Sequence, residues 1–205
     1  MTEREPEPAP APDEPDWRQR KKAETRDRIR ACALRLFLEQ GYDATTVEQI
    51  AAAAGVSHMT FFRYFPAKED VALSDSYDPL IARLLEQTPA AWPLPERIRA
   101  ALRQGLARVY ETDRDTLLAQ NKLIAATPAL RDRLWADQIA TQQLFLQALA
   151  GGGKGDYRPT LPTRVTVAAC LAAASTAILA WVENDGAPDL PDLMDEAFDT
   201  LTGAR

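Results

Sequence analysis

The sequence predicts an all-α chain of about nine helices, in which a small N-terminal three-helix unit precedes a larger helical one. Three observations carry that expectation. Apolar residues recur at helical spacing along most of the chain, no segment alternates with the period of a strand, and glycines and prolines mark the breaks. With 205 residues, 46% of them hydrophobic, the chain can also build a real core. The expected division is an acidic, proline-rich disordered tail over 1–18, a first unit over 19–68 and a second over 69–205.

The tail follows from Pro6, Pro8, Pro10, Pro12 and Pro15 among acids and alanines, which bury too little to offset the entropy of ordering. Ile29, Ala33, Leu36 and Phe37 then place an amphipathic helix over Lys22 to Gln40, closed by Gly41 as a left-handed C-cap. Thr45, with Glu48 three residues on, reads as a capping box for a second helix through Val47, Ile50, Ala51 and Ala54, worth about 1 kcal/mol. Gly55 breaks that helix, Ser57 caps a third, and Pro66 stops it. Further amphipathic stretches fall at about 68–86, 96–112, 115–126, 128–150, 163–183 and 189–202.

The net charge of -6 argues against an acidic partner for the chain as a whole, but the charge is unevenly spread. Residues 1–16 carry six acids and one arginine, whereas residues 17–70 carry ten Lys/Arg against seven Asp/Glu, a local balance of +3. That basic segment points to an anionic partner or, alternatively, to an ordinary arginine-rich helix surface. Cys32 and Cys170 lie far apart without metal-ligand neighbours and read as small core residues in a reducing cytosol; no metal or cofactor is expected. No apolar stretch follows Met1, so no signal peptide is expected. Val165 to Val182 runs without a charge for about the length of a membrane span, yet its alanines, threonines and serine fit a buried interface helix better.

Residues 45–64 have the spacing of a helix-turn-helix: two short helices, a tight turn at Gly55, small Ala51 at the crossing and Val56 as an apolar wedge. An ordinary helical hairpin has the same spacing. Phe61 and Phe65 would face inward, leaving His58, Met59, Thr60 and Arg63 outward. In order along the chain stand Leu36-Phe37, Gly41-Tyr42, Thr45-Thr46-Val47, Ile50-Ala51, Ala54-Gly55-Val56-Ser57 and Thr60 to Glu69. That ordered set resembles the N-terminal signature of the tetracycline-repressor (TetR) family.

The resemblance implies a bacterial, cytoplasmic DNA-binding transcriptional regulator with a helix-turn-helix domain and a C-terminal ligand-binding and dimerisation domain. It implies that Thr46 and Ser57 contact DNA phosphates, that Tyr64 and Lys68 clamp the backbone, and that His58, Met59 and Thr60 read base edges. Phe62 stands at a conventional tyrosine position and lacks its hydroxyl, so it touches a thymine methyl or packs. Arg63 suits a guanine or a phosphate. Arg26 approaches the backbone or is part of a solvated face.

A single recognition helix selects too little sequence, so a homodimer on a palindromic operator of double-stranded DNA is expected. The resemblance places the dimer surface on the last two helices, with Leu171, Ala174, Ser175 and Ile178 of one and Leu193, Met194, Ala197, Phe198 and Leu201 of the other. For the helices between, the resemblance implies a small-molecule effector, largely apolar, with Leu102, Leu106, Val109, Trp135, Ile139 and Phe145 as apolar lining. Asn121, Gln138 and Gln142 are the polar groups that would orient it, or else solvent-facing amides. An enzyme lacks parts: there is one histidine, no assembled nucleophile set, and the run Gly151-Gly152-Gly153-Lys154-Gly155 follows no strand. Repression with ligand release is the expectation; a ligand-independent or activating regulator of the same fold is the alternative.

Overall fold

A computed structural model describes residues 14–73, 78–151 and 158–203. Among the described residues there are nine α-helices and no strand: α1 (Glu14–Gln40), α2 (Val47–Ala53), α3 (His58–Tyr64), α4 (Lys68–Leu73), α5 (Asp78–Gln87), α6 (Leu94–Ala126), α7 (Pro128–Leu149), α8 (Leu161–Glu183) and α9 (Leu190–Thr202). The chain divides into two compact units, Met1–Val71 and Ala72–Arg205. Residues 1–13 of the expected tail and most of the glycine run after Gly151 lie outside the described residues.

In the first unit α2 packs on both α1 and α3. Ile29, Ala33 and Phe37 recur every four residues on α1 and are buried, as are Ile50, Ala51, Ala54, Phe61 and Phe65. Gly41 takes φ +89° where α1 ends and Gly55 takes φ +62° between α2 and α3, a conformation that costs a β-carbon-bearing residue and not glycine.

Two expectations are corrected here. Helix α1 begins at Glu14 rather than Lys22, so residues 14–18 belong to helix and not to a disordered tail. The stretch is rich in helix-forming Arg, Lys, Glu and Gln, and the Lys21 ammonium lies 4.9 Å from the Trp17 ring centroid. The α2 cap is Thr46, one residue later than expected. Its hydroxyl accepts from Gln49 N–H at 3.2 Å while the Gln49 side chain accepts from Thr46 N–H at 2.9 Å. Thr45 is buried instead, donating its hydroxyl to the Gly41 carbonyl at 2.7 Å.

In the second unit α8 packs on α9, α6 and α7, and α5 packs on α6 and α7. Its core includes Leu85, Ile98, Ala101, Leu102, Phe145, Val167, Cys170, Leu171, Ala174, Met194 and Phe198. Burial pushes the Cys170 thiol up to about 11, which makes it a small apolar filler. The two stretches expected at 96–112 and 115–126 are one element broken at Asp113, whose φ -149° and ψ 38° are not helical.

Ion pairs set the register of α9 on α6. Arg99 Nε and Nη1 donate to Asp195 at 2.8 Å and Asp199 at 2.5 Å, and Arg103 Nη1 donates to the other Asp195 oxygen at 2.6 Å. Among the described residues α8 is long and apolar enough to cross a membrane. Its buried face is the stripe Val167, Cys170, Leu171, Ala174, Ala177 and Trp181.

Candidate functional site

Helix α3 is seven residues long and too short to be stable alone, so its position depends on caps and burial. Ser57 supplies the cap, accepting from Thr60 N–H at 3.1 Å with its hydroxyl 2.9 Å from that of Thr60. Phe61 is 0% and Phe65 1% exposed, and their rings lie 5.9 Å apart. These anchors turn the opposite side of α3 outward. Met59 is 82% exposed, Phe62 40%, and His58 and Arg63 are exposed as well, while Thr60 and Tyr64 are half-buried.

The surrounding residues complete this surface. Arg26 of α1 holds its guanidinium 4.8 Å from the Phe65 ring centroid, at the C-terminal side of α3. Arg63 lies 5.5 Å from the Tyr64 ring centroid. His58 Nε2 faces Glu48 Oε1 of α2 at 3.3 Å, which brings the start of α2, with exposed Thr46, beside the start of α3. The expected residues Arg26, Thr46, Ser57, His58, Met59, Thr60, Phe62, Arg63 and Tyr64 therefore belong to one compact unit, and its exposed α3 face carries no acidic side chain. The sequence reading placed Glu48 in a cap and missed its contact with His58; an apposition of two separate helices has no sequence spacing to reveal it.

Lys68 has a second role within the fold. Its ammonium donates to the carbonyls of Tyr42 at 2.9 Å and Thr45 at 3.0 Å and sits 4.0 Å from the Tyr42 ring centroid. An ammonium held this way ties α4 to the turn before α2 and keeps a third donor. The Tyr42 hydroxyl donates to Glu69 at 2.6 Å, and its burial, followed by that bond, raises its pKa far above the ordinary phenol value.

In the second unit the candidate ligand residues separate. Leu102 and Phe145 are core side chains, and Leu106 packs against that core. Ile139 is 61% exposed and so lines no interior, which corrects its placement. Asn121 is half-buried and donates to the Leu117 carbonyl one turn back in its own helix at 2.9 Å; Gln138 and Gln142 are also half-buried. The side chains of Val109 and Trp135 lie outside the described residues.

A cluster that sequence reasoning had not assembled stands at the junction of α6, α8 and the turn before α9. Trp181 is 0% exposed, and its indole N–H is the buried side-chain donor without a partner among the described residues. The Tyr110 ring lies 5.9 Å from Trp181, and the Arg114 guanidinium lies 5.8 Å from the same ring. Arg114 also donates to the Tyr110 hydroxyl at 3.0 Å and to the Gly186 carbonyl. Gly186 takes φ +75°, which strains a residue bearing a β-carbon, and a β-carbon there would also stand 2.7 Å from the end of the Leu118 side chain and push it aside.

The dimer expectation is also corrected in part. Leu171, Ala174, Met194 and Phe198 are buried within the single chain and cannot face a partner. Ser175 and Leu201 are exposed, and Ile178, Leu193 and Ala197 are half-buried. Helix α8 is apolar on both sides, so hydrophobicity could not tell its own-core stripe from its outer one.

Comparison with known proteins fits this geometry. Residues 29–74 match the family described as bacterial regulatory proteins, tetR family, and residues 92–205 match the MftR C-terminal domain. The HTH-type transcriptional regulator TcmR of Streptomyces glaucescens is 41% identical over 57% of this chain, an alignment spanning 54% of that relative's length. A Mycobacterium tuberculosis protein provisionally named as the mycofactocin biosynthesis transcriptional regulator MftR is 28% identical over 89% of this chain and 91% of its own. The Thermus thermophilus repressor FadR, solved in complex with lauroyl-CoA, is 26% identical with TM-score 0.52, over 86% of this chain and 93% of that one. The relatives are named as regulators of transcription, not as enzymes. With both parts of the chain matched in order, the protein belongs to the TetR family of DNA-binding bacterial transcriptional regulators.

Proposed function

We propose that the chain represses transcription in the bacterial cytoplasm by binding a palindromic operator as a homodimer, and that a small, largely apolar ligand in the second unit releases it. The observation that carries this reading is the outer face of α3. Buried Phe61 and Phe65 fix it; in this reading His58, Met59, Thr60, Phe62 and Arg63 meet a major groove, and Arg26, Thr46, Ser57 and Tyr64 of the same unit contact phosphates.

The dimer reading moves to the outer stripe of α8 and α9. Leu161 is 73% exposed, Val165 58% and Leu179 50%; with Ala172 and Ser175 they recur at steps that keep one helix face. Leu193, Ala197 and Leu201 continue the surface on α9, which packs against α8. A partner covering this stripe accounts for its apolar character. The unpartnered Trp181 indole supports a ligand that brings a hydrogen-bond acceptor, and the acyl thioester bound by the Thermus relative is one such molecule. Leu102 and Phe145 filling the core favour the alternative of a ligand-independent regulator.

Selection of bound duplexes from a random library should return palindromes, and light scattering should show a dimer at micromolar concentration. A stable monomer, or recovery of sites without two-fold symmetry, refutes the dimeric reading. Ligand release is tested by adding lauroyl-CoA and a panel of apolar acids to the complex; no change in affinity with any of them leaves the ligand-independent form.

A further inference from the structure

Helix α1 runs well past the core of its own unit. Its first buried residue among those described is Ile29, and residues 17–28 before it are exposed except for half-buried Thr25, whose hydroxyl donates back to the Lys21 carbonyl of the same helix at 2.8 Å. About 18 Å of helix therefore projects beyond the packed part. That stretch also holds the unit's positive charge. Residues 17–30 carry seven Lys/Arg against Glu24 and Asp27, a balance of +5, whereas residues 31–70, which contain the whole helix-turn-helix, carry Arg35, Arg63 and Lys68 against five acids, a balance of -2. Arg35 pairs with Glu39 at 3.3 Å, and Lys68 spends two of its donors on carbonyls. Arg63 is the one Lys or Arg on α3. A reader built from α2 and α3 alone thus brings little charge to a polyanion.

The charge on α1 is sorted by face. At 3.6 residues per turn, Arg18, Lys22 and Arg26 fall in the same sector of about 100° as Ile29, Ala33 and Phe37, while Glu24 and Asp27 fall on the opposite side. The stripe that meets the core in the second half of α1 turns cationic where the core ends. It does so beside the reader, since the Arg26 guanidinium lies 4.8 Å from the ring centroid of Phe65, the C-cap residue of α3.

We infer that the projecting half of α1 is a second DNA-contacting surface, on which Lys22 and Arg18 extend the row begun by Arg26 along the sugar-phosphate backbone, beyond the base pairs that α3 reads. A row of long cations on one helix face complements a strand whose negative charge repeats at every nucleotide, and contacts of this kind add affinity without sequence information. The inference rests on the reading that the outer face of α3 meets base edges. It adds that the two tasks are divided within the unit: α3 selects the sequence, and α1 supplies most of the salt-dependent grip.

The test uses the full chain with a selected palindromic duplex, extended by about one helical turn on each side, and a scrambled duplex of equal length. Salt titrations compare wild type with Lys22→Gln, with Arg18→Gln combined with Lys22→Gln, and with Arg20→Gln, which removes the same charge from the opposite side of the helix. At about 0.9 per phosphate, the log-log slope should become shallower by about 2 in Lys22→Gln and by about 4 in the double variant, with the ratio of specific to scrambled affinity held. Arg20→Gln should leave the slope within about 0.5 of wild type. All three substitutions are at exposed positions, so the melting temperature should hold and lost binding reports lost contacts. Hydroxyl-radical footprinting should show protection outside the recognised half-sites in wild type and its loss in the double variant. An unchanged slope in the double variant, or an equal fall in Arg20→Gln and Lys22→Gln, overturns the inference. So does a changed base preference in the double variant, which would make these residues readers. If the double variant alters nothing while Arg63→Ala weakens the specific duplex alone, the inference falls and α3 remains the reader. If wild type binds both duplexes equally, the reading of α3 has failed and the inference falls with it.

Discussion

Adjacent phenylalanines on α3 give the sharpest test of how the reader is built. Phe61 is 0% exposed and Phe62 is 40% exposed, although they are the same residue type one position apart. Truncating a fully buried phenylalanine costs about 3–5 kcal/mol through lost transfer energy and the cavity left behind. A unit of about 60 residues is stable by about 3–9 kcal/mol, so Phe61→Ala removes between about a third of that stability and all of it. Phe62 keeps much of its ring in water and is seated against other rings, so truncation should cost about 1 kcal/mol. Hydrogen exchange of the α1–α3 amides in the full chain separates the two. Phe61→Ala should lose protection throughout the first unit and leave α8 and α9 protected, whereas Phe62→Ala should keep protection in both. Similar losses in the two variants would refute the assignment of inner and outer faces.

Three further outcomes follow from contacts already described. Lys68→Met removes two bonds to backbone carbonyls and should cost about 2–3 kcal/mol in thermal or urea unfolding, yet leave the salt dependence of DNA binding unchanged. A slope smaller by about 2 would instead make Lys68 a phosphate clamp in each protomer. The Tyr42 phenol is held protonated in the fold, chiefly by burial and then by Glu69, so its pKa is raised above the unfolded value near 10.0. Its stabilisation is full below that pH and is lost as pH rises above it toward the folded value. Wild type should therefore lose stability above about pH 10 more steeply than Tyr42→Phe, and equal alkaline slopes would contradict this. Trp181→Phe deletes an unpartnered buried donor and should change stability by about 1 kcal/mol or less, while Trp181→Ala should cost about 3–5 kcal/mol. A large loss in the phenylalanine variant would mean the indole already has a partner.

Much of the first unit was legible in the sequence because its determinants are local. Gly41, Gly55, Ser57 and Pro66 punctuate the chain wherever a helix starts or stops, and the four-residue recurrence of Ile29, Ala33 and Phe37 fixes the buried side of α1. The α2 cap was ambiguous by one residue, since Thr45 and Thr46 each have a suitable side chain three positions on. Burial of Thr45 decided between them. The structural tie of Lys68 went unread for a related reason: its partners Tyr42 and Thr45 lie more than twenty residues away and are backbone carbonyls, which leave no trace in residue type.

The second unit was less legible because its informative contacts join distant segments. Arg99 to Asp195, Arg114 to the Gly186 carbonyl and Tyr110 to Trp181 link residues about 70 to 100 positions apart. No spacing rule connects them. On α8 the composition conveyed that the helix is apolar but not which stripe meets its own core, and Leu171 and Ala174 were assigned to the wrong side for that reason.

Fluorescence anisotropy of the full chain on a selected palindromic duplex, titrated across salt concentration, tests the central claim most directly. Two readers that each neutralise about four phosphates should give a slope near -7 in log affinity against log salt, with Arg63→Ala weakening the specific duplex far more than a scrambled one. A salt-insensitive affinity, or equal binding of the two duplexes by wild type, would contradict DNA recognition through α3.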